Sequence, residues 1–365
     1  MSRSDKEGTS SGGLVVNLTS DLSLRIIRYL GRGSLGGVFQ ASLQSRTKEQ
    51  TRLVAAKFVH LPNNVQLQTT ADNLQQKFLA ISSSHTSLLR CEVFADEQLK
   101  GLWIVSDYIC PGNTLLLSKK LGGCTESLIA FFVKEILSIL VFFEKRPNWQ
   151  GLQCIKGSNI LLDSSGQLRI VDYHQLAVVL PLLDKQFNVQ PSIVYWNGPE
   201  NKDGNELPSF STASSGDIWA LAVWMIELAQ GYTPLKSHGP YKVAYGLNVG
   251  ERPQLEWPSR YSIHFLDLLH QCLQTNPQLR PTARELLAHP FLSAAPKEED
   301  IGDIVRHILS QDISSEAGDT YLSEEWIVIL SGNKFLPLPY LSVFDVEIEQ
   351  VKLVGHEDKG DFMDK

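Results

Sequence analysis

One run of residues constrains the fold of this chain more than any other, namely I-K-G-S-N-I-L-L at Ile155–Leu162. An aspartate, Asp172, follows Asn159 by thirteen residues and lies in the run R-I-V-D-Y-H. The two stretches carry lysine, asparagine and aspartate, which are side chains able to hold phosphate and metal ions. Their significance depends on the motifs that stand before and after them at fixed distances.

A glycine-rich stretch and a lysine precede this run. Residues 31–38 have the form G-x-G-x-x-G-x-V, and Gly31, Gly33 and Gly36 would let a strand-turn-strand backbone approach phosphates without Cβ clashes. Alone, the match is weak, and chance or a plain β-turn is the commoner explanation. Lys57 ends the strand-like run V-A-A-K, 21 residues past Gly36, and an isolated lysine in that setting is normally an exposed edge residue.

Together these motifs resemble the protein kinase family, most closely the MAP-kinase-kinase kinases and their sterile-group relatives. The catalytic loop of those kinases reads H-R-D-I-K-G-S-N-I-L-L, and their metal-binding motif follows at the same offset. The later kinase motifs Y-W-M-A-P-E, D-I-W-S-L, N-P…R-P-T-A and H-P-F have counterparts in the same order at 195–200, 217–221, 276–283 and 289–291. The resemblance covers roughly residues 22–292 and implies an α+β, bilobal protein kinase fold.

The chain divides into four parts on this reading. Residues 1–21 are expected to be a disordered leader, 22–108 a small β-rich N-lobe with one C-helix, and 109–292 a larger helical C-lobe. The apolar periodicity predicts helices at 71–81, 127–143, 218–230, 262–274 and 283–288. From Ser293 onward 16 acidic residues stand against six basic ones, and apolar runs alternate with them. This extension, 293–365, is predicted to be partly helical and to pack on the C-lobe or on a partner.

The resemblance implies that the chain binds ATP and Mg²⁺. Lys57 would hold the α- and β-phosphates, Asn159 and Asp172 would hold Mg²⁺, and Lys156 would lie near the γ-phosphate. Three apolar side chains would sandwich the adenine, and the remaining contacts would come from the glycines and the segment that joins the lobes. The full nucleotide set is Gly31, Gly33, Gly36, Val38, Ala55, Lys57, Asp107, Ile109 and Leu161. Glu200 would pair with Arg280, and Asp217 would bind the catalytic-loop backbone from below.

The departures from the family pattern concentrate on phosphoryl transfer. The H-R-D triplet is Leu152-Gln153-Cys154, so a thiol replaces the aspartate that orients the substrate hydroxyl. Gln153 cannot make the bidentate contact of an arginine with a phosphorylated activation segment. Ile193 stands where Ser/Thr kinases carry a threonine that bonds the catalytic aspartate. No acid stands in the C-helix where one should meet Lys57, and the candidates by register are Gln75 and Gln76, with Asp72 one turn upstream.

Three smaller features leave alternatives open. The metal motif reads D-Y-H, and His174 in place of glycine predicts a segment held in one state. Cys154 is either a relaxed position filled by a small buried residue or a reactive thiolate, which would need cationic support such as Lys156. Ser106 lines the back of the nucleotide pocket and either packs against a larger neighbour or leaves a back pocket open.

These observations predict a pseudokinase that binds ATP and Mg²⁺ and regulates or scaffolds another protein, with an active kinase as one candidate partner. The alternatives are a weakly active atypical Ser/Thr kinase and a nucleotide-free binding module. The scattered odd number of cysteines and the absence of a long uncharged apolar run predict a protein of the cytosol or nucleus that does not enter a membrane. The charge distribution gives no indication of nucleic-acid binding.

Overall fold

A six-stranded antiparallel sheet forms the N-lobe. The computed structural model describes residues 14–33, 36–48, 50–63, 65–146, 151–173, 194–200, 210–296, 301 and 303. The strands follow the order β1-β2-β3-β4-β6-β5, and helix α1 connects β4 to β5. Their bounds are β1 Val15–Asn17, β2 Leu22–Gly33, β3 Gly36–Ser45, β4 Thr51–His60, α1 Leu67–Ser82, β5 Cys91–Asp96 and β6 Gly101–Asp107.

The two faces of this sheet have different chemistry because burial alternates along β3. Phe39 and Ala41 point to one face, where they meet Val54, Phe58 and the fully buried indole of Trp103. Residues at the intervening positions of β3 are half-buried and face the other way. The sheet therefore keeps an outer apolar core and turns its second face toward the C-lobe.

The N-lobe begins earlier than the sequence analysis predicted. Residues 14–21 were assigned to the disordered leader, yet β1 pairs with β2 through Val16 opposite Leu24. Val16 and Leu18 are both 9% exposed and belong to the outer core of the sheet. Their burial explains why this short segment is part of the lobe. The leader prediction for residues 1–13 lies outside the described residues.

The C-lobe is built around two long apolar helices, α3 and α4. Inner residues of both helices are fully buried, and Phe132 of α3 stacks on Trp224 of α4 with ring centroids 6.2 Å apart. The elements are β7 Pro111–Asn113, α2 Thr114–Leu121, α3 Glu126–Glu144, β8 Ile160–Asp163, β9 Leu168–Ile170, α4 Phe210–Gln230, α5 Pro240–Asn248, α6 Ile263–Cys272 and α7 Ala283–Leu286, with 3-10 turns at Pro258–Arg260, Pro277–Leu279 and Pro290–Ala294. Among the described helices, none is both long and apolar enough to cross a bilayer.

Two contacts extend or join the lobes. Ile301, in the acidic extension, is 3% exposed and packs in the C-lobe core, so the extension begins as part of that lobe.

The loop between α1 and β5 is hydrogen-bonded to β9, because the Ile170 amide donates to the Ser87 carbonyl at 2.7 Å and the Leu89 amide donates to the Ile170 carbonyl at 3.0 Å. This connection fixes the end of α1 next to the segment that carries Asp172.

Candidate active site

Lys57 of β4 and Asp172, just after β9, meet in an ion pair between the two lobes. The Lys57 Nζ bonds the Asp172 Oδ2, and the two side chains are only 9% and 13% exposed. Asp172 has a φ of 61°, a left-handed backbone conformation that is uncommon outside glycine and that asparagine and aspartate adopt more often than other residues. The surrounding structure therefore holds the carboxylate in a specific direction, toward the lysine.

The glycine-rich turn lies against this ion pair. A Cβ added at Gly33 would come within 3.2 Å of the Lys57 Cε, so the backbone of the turn passes directly over the lysine. Gly31 has a φ of 144°, which favours glycine. Gly36 has a different role, because a Cβ there would overlap the Phe58 carbonyl oxygen. That third glycine is required by the packing of β3 on β4, which the motif alone did not reveal.

The side chains predicted to hold adenine come together on the inner face of the sheet and beneath it. Val38 lies opposite Lys57 in the β3–β4 register, and Ala55 is two residues before Lys57 on the same face. Both are half-buried, as is Leu161 of β8 in the C-lobe. Asp107 ends β6, and its carboxylate pairs outward with Arg52 at 3.2 Å. What Asp107 offers to a ligand in the cleft is therefore its backbone.

The catalytic loop is held from below by Asp217 of α4. Its two carboxylate oxygens accept hydrogen bonds from the Leu152 amide at 2.6 Å and the Gln153 amide at 2.8 Å. Burial raises the pKa of Asp217 to about 7, against the opposing effect of the two amide donors. Leu152 is fully buried beside this contact. The apolar replacement of histidine thus preserves the packing of the loop.

Cys154, at the position where the kinase pattern has its aspartate, is buried. It is 5% exposed, and burial raises its pKa well above the usual range, with further increases from the charges of Asp217 and Asp172. The opposing effect of Lys156 is smaller. Burial therefore favours the neutral thiol, because the opposing charges of Lys156 and Lys57 lower its pKa by less than burial raises it.

Asn159 links the catalytic loop to the metal motif. Its side-chain nitrogen, Nδ2, donates to the Cys154 backbone carbonyl at 3.0 Å. The backbone carbonyl of Asn159 accepts from the Val171 amide at 3.0 Å. Its amide oxygen and the Asp172 carboxylate form a donor set that suits Mg²⁺, which takes one or two protein oxygens and completes its shell with phosphate and water. No cluster of three or more His, Cys, Asp or Glu side chains that could hold a metal ion occurs among the described residues.

Comparisons with known proteins agree with this geometry. The sequence profile of the protein kinase domain matches residues 24–292. The chain belongs to the protein kinase family. Members of this family generally use ATP and Mg²⁺.

The similar proteins are serine/threonine kinases. Human serine/threonine-protein kinase 10 is 28% identical over 284 residues, which are 77% of this chain and 28% of that protein. Serine/threonine-protein kinase dst1 of Dictyostelium discoideum is 28% identical over 280 residues, 76% of this chain and 36% of that protein. Serine/threonine-protein kinase 1 of Arabidopsis thaliana is 29% identical over 272 residues, 73% of this chain and 30% of that protein. The chain therefore matches about a third of the length of these relatives.

In this kinase domain the C-helix, α1, is attached to the sheet by Gln75. The Gln75 amide nitrogen donates to the Cys91 carbonyl at 3.3 Å, and its oxygen accepts from the Val93 amide at 2.7 Å. The expectation that Gln75 replaces the acid facing Lys57 is therefore wrong, because both of its polar atoms bind β5. Gln76 is exposed, so it does not take that place. Asp72 is also exposed and accepts from Gln68 at 3.0 Å, which excludes the altered-register alternative.

Tyr173, which follows Asp172, is anchored more firmly than a phenylalanine would be. Its ring is 2% exposed and meets Phe78 of α1 edge-on with centroids 6.3 Å apart. Its hydroxyl donates to the Leu89 carbonyl at 2.8 Å. This hydrogen bond fixes Tyr173 in addition to the ring contact with Phe78. His174 and Ile193 lie outside the described residues, so the predicted single state of that segment stays a prediction.

A buried acid in α4 was missed by sequence reasoning. Glu227 accepts from the Gly157 amide at 2.8 Å and from the Thr233 hydroxyl at 2.6 Å, and burial raises its pKa. Lys156 lies nearby, with its Nζ 5.1 Å from the centre of the Trp196 ring. The signal was present in the sequence, because Glu227 is the one charged residue in the apolar stretch 218–229. Such a charge must be hydrogen-bonded to be buried.

The remaining predicted structural residues form a buried cluster at the base of the C-lobe. Glu200 and Arg280 make a bidentate ion pair with distances of 2.7 and 2.6 Å. The Arg280 guanidinium also stacks on Trp219, 4.9 Å from its ring centre. This cluster fixes the end of the activation segment to α4. Ser106 is half-buried, opposite Ala55 on one side and Cys91 on the other, which agrees with packing in the sheet.

Proposed function

We propose that this kinase domain binds ATP with Mg²⁺, is deficient in phosphoryl transfer, and acts as a regulator or scaffold of a signalling protein. The observation that carries the proposal is a contrast within the site. Cys154 is a buried, protonated thiol at the place of the base, while Lys57, Asp172 and Asn159 keep the arrangement that nucleotide and metal require. Bound Mg²⁺ would neutralise phosphate charge.

The attachment of α1 supports a role other than catalysis. In this domain Gln75 fixes α1 to β5 without using Lys57, and Tyr173 fixes the metal motif to the same corner of the fold. The cleft is therefore held in its assembled form by contacts within the protein. A partner that recognises the assembled form would gain further affinity when nucleotide favours that form.

The first test is thermal unfolding of the whole chain with ATP, with and without Mg²⁺. We expect a Mg²⁺-dependent stabilisation, of about 2.7 kcal/mol at 100 times the Kd. Lys57→Ala should remove it, because the ammonium that contacts the phosphates is lost. Lys77→Ala, which removes an exposed lysine on the outer side of α1, is the matched control and should respond as the wild type does. No stabilisation at millimolar ATP would leave a nucleotide-free binding module instead.

A weakly active Ser/Thr kinase is the second candidate, and the intact pairing of Lys57 with Asp172 favours it. The discriminating variant is Cys154→Asp, with Cys154→Asn as a control of similar size that supplies no base. Restoring a positioned base to an otherwise competent site would raise the phosphotransfer rate by about 10²–10⁴-fold. We expect no rise, because Gln153 stands where the family pattern has an arginine, and no acid of α1 faces Lys57. A folded Cys154→Asp protein that gains this activity would establish the weak-kinase alternative.

A further inference from the structure

An aromatic stripe on α5 faces solvent. Tyr241 and Tyr245 are 80% and 70% exposed, and Val249, which follows the helix, is 59% exposed. Tyr241 is the most exposed large hydrophobic side chain in the described part of the chain. The spacing of four residues places the three side chains on one side of the helix. The opposite side is anchored in the core by Val243 and Leu247, so α5 cannot turn to hide its aromatic residues.

The stripe borders a small cleft between α5 and the end of the activation segment. Val194 and Pro199 line one wall of this cleft, and Ala244 and Leu247 line the other. The two walls are tied together, because the Tyr195 hydroxyl donates to the His238 carbonyl at 3.0 Å. Asn197 and Asn248 line the cleft as well, so the stripe and the cleft, together called the α5 face below, form a mainly apolar surface with two amide side chains. An extended apolar segment fits such a surface.

The charge of the α5 face selects an acidic occupant. Residues 231–252 contain three basic residues, Lys236, Lys242 and Arg252, and one acid, Glu251, whose carboxylate lies beside Gly246. The acid on the other wall, Glu200, is already paired with Arg280. A segment that carries negative charge next to apolar side chains therefore complements the α5 face.

We propose that residues 321–330 of this chain, Y-L-S-E-E-W-I-V-I-L, dock on the α5 face. The segment combines two glutamates with a continuous apolar run that starts at Trp326. The chain can reach the face, because Ile301 is fixed in the C-lobe core and the 18 residues from Asp303 to Tyr321 can span up to about 60 Å. A domain of this size has a radius of gyration of about 19 Å.

Tethering gives the contact a regulatory consequence. A segment tethered within the same chain has an effective concentration on the order of millimolar at a site that the tether can reach. Residues 321–330 would therefore compete with any other protein that uses the α5 face. A partner must displace them, and the competition makes access to the face adjustable by changes in the extension.

Photo-crosslinking in the full chain tests this contact. p-Benzoylphenylalanine replaces Tyr245, and mass spectrometry then identifies the crosslinked peptide. We expect a crosslink to residues 321–330 within one chain, with a yield that does not change on dilution. The same probe at Leu279, which is 66% exposed and lies outside the α5 face, should not give this product. Unchanged thermal unfolding shows that the probe leaves the fold intact.

A second pair of variants tests the chemistry of the contact. Trp326→Ala should lower the crosslink yield by about tenfold or more, because aromatic anchors carry most of the energy of such contacts. Phe335→Ala, an aromatic residue of the extension outside 321–330, should leave the yield unchanged. A crosslink to residues 343–354, a concentration-dependent crosslink to a second copy, or the absence of any crosslink would each overturn the proposal.

Discussion

Replacing Arg280 with leucine should lower the free energy of unfolding by about 3–5 kcal/mol, the cost of breaking a buried ion pair from one side. The Arg280 side chain is fully buried and that of Glu200 is 9% exposed. Without the guanidinium, the Glu200 carboxylate stays buried without its counter-charge. Urea unfolding monitored by tryptophan fluorescence measures the loss.

The size of this effect follows from how many groups the guanidinium satisfies. Besides the two Glu200 oxygens, it donates to the Ser215 carbonyl at 2.8 Å and, through Nε, to the Gln274 carbonyl at 2.8 Å. Arg280→Leu removes these two hydrogen bonds as well as the ion pair. Hydrogen bonds that involve a charged group contribute about 1.5–3 kcal/mol each, which supports an effect at the upper end of the range.

Two matched variants separate this cause from a general loss of charge. Arg52→Leu removes an exposed ion pair, in which the Arg52 side chain is 46% exposed and the Glu92 side chain 44%. It should change the free energy of unfolding by about 1 kcal/mol or less. Combining Arg280→Leu with Glu200→Leu should recover part of the loss, because no buried carboxylate is then left unpaired. Equal effects of Arg280→Leu and Arg52→Leu would contradict the account.

The parts of this fold that the sequence predicted are those marked by residues with few structural alternatives. Lys57, Asp172 and Asp217 stand at fixed spacings within apolar runs, so a charged residue there needs a specific partner. Long apolar periodicity likewise predicted α3 and α4. In contrast, β1 has three residues, which is too short for an alternating pattern to be recognised.

The parts that the sequence did not predict depend on how elements rotate against each other. A helix turns by 100° per residue, so the direction of Gln75 depends on the packing of Phe78 against Tyr173 and not on sequence register. The clash that excludes a side chain at Gly36 depends on the approach of a strand 22 residues away. Such contacts are tertiary, and local pattern carries no information on them.

The second large effect is expected at Asp172, the aspartate that we propose to hold Mg²⁺. Asp172→Asn should remove the dependence of ATP affinity on Mg²⁺, which we expect to be tenfold or more, about 1.4 kcal/mol, in the wild type. The amide keeps the shape of the side chain but lacks the negative charge that a hard divalent cation requires. Asparagine also tolerates the φ of 61°, whereas alanine would add strain at this position. Titration calorimetry with ATP, with and without Mg²⁺, measures the change.

The control for this variant is Asp163→Asn, at the end of β8 in the same hairpin. Asp163 pairs with Arg169 at 2.9 Å, so this variant removes a paired carboxylate of the same lobe without touching Lys57. It should retain the Mg²⁺ dependence of the wild type. In Asp172→Asn, by contrast, the Lys57 ammonium loses its counter-charge and attracts phosphate more strongly, so ATP binding without Mg²⁺ should be retained or strengthened. Loss of ATP binding under both conditions in a folded Asp172→Asn protein would show that the carboxylate orients Lys57 instead of holding metal.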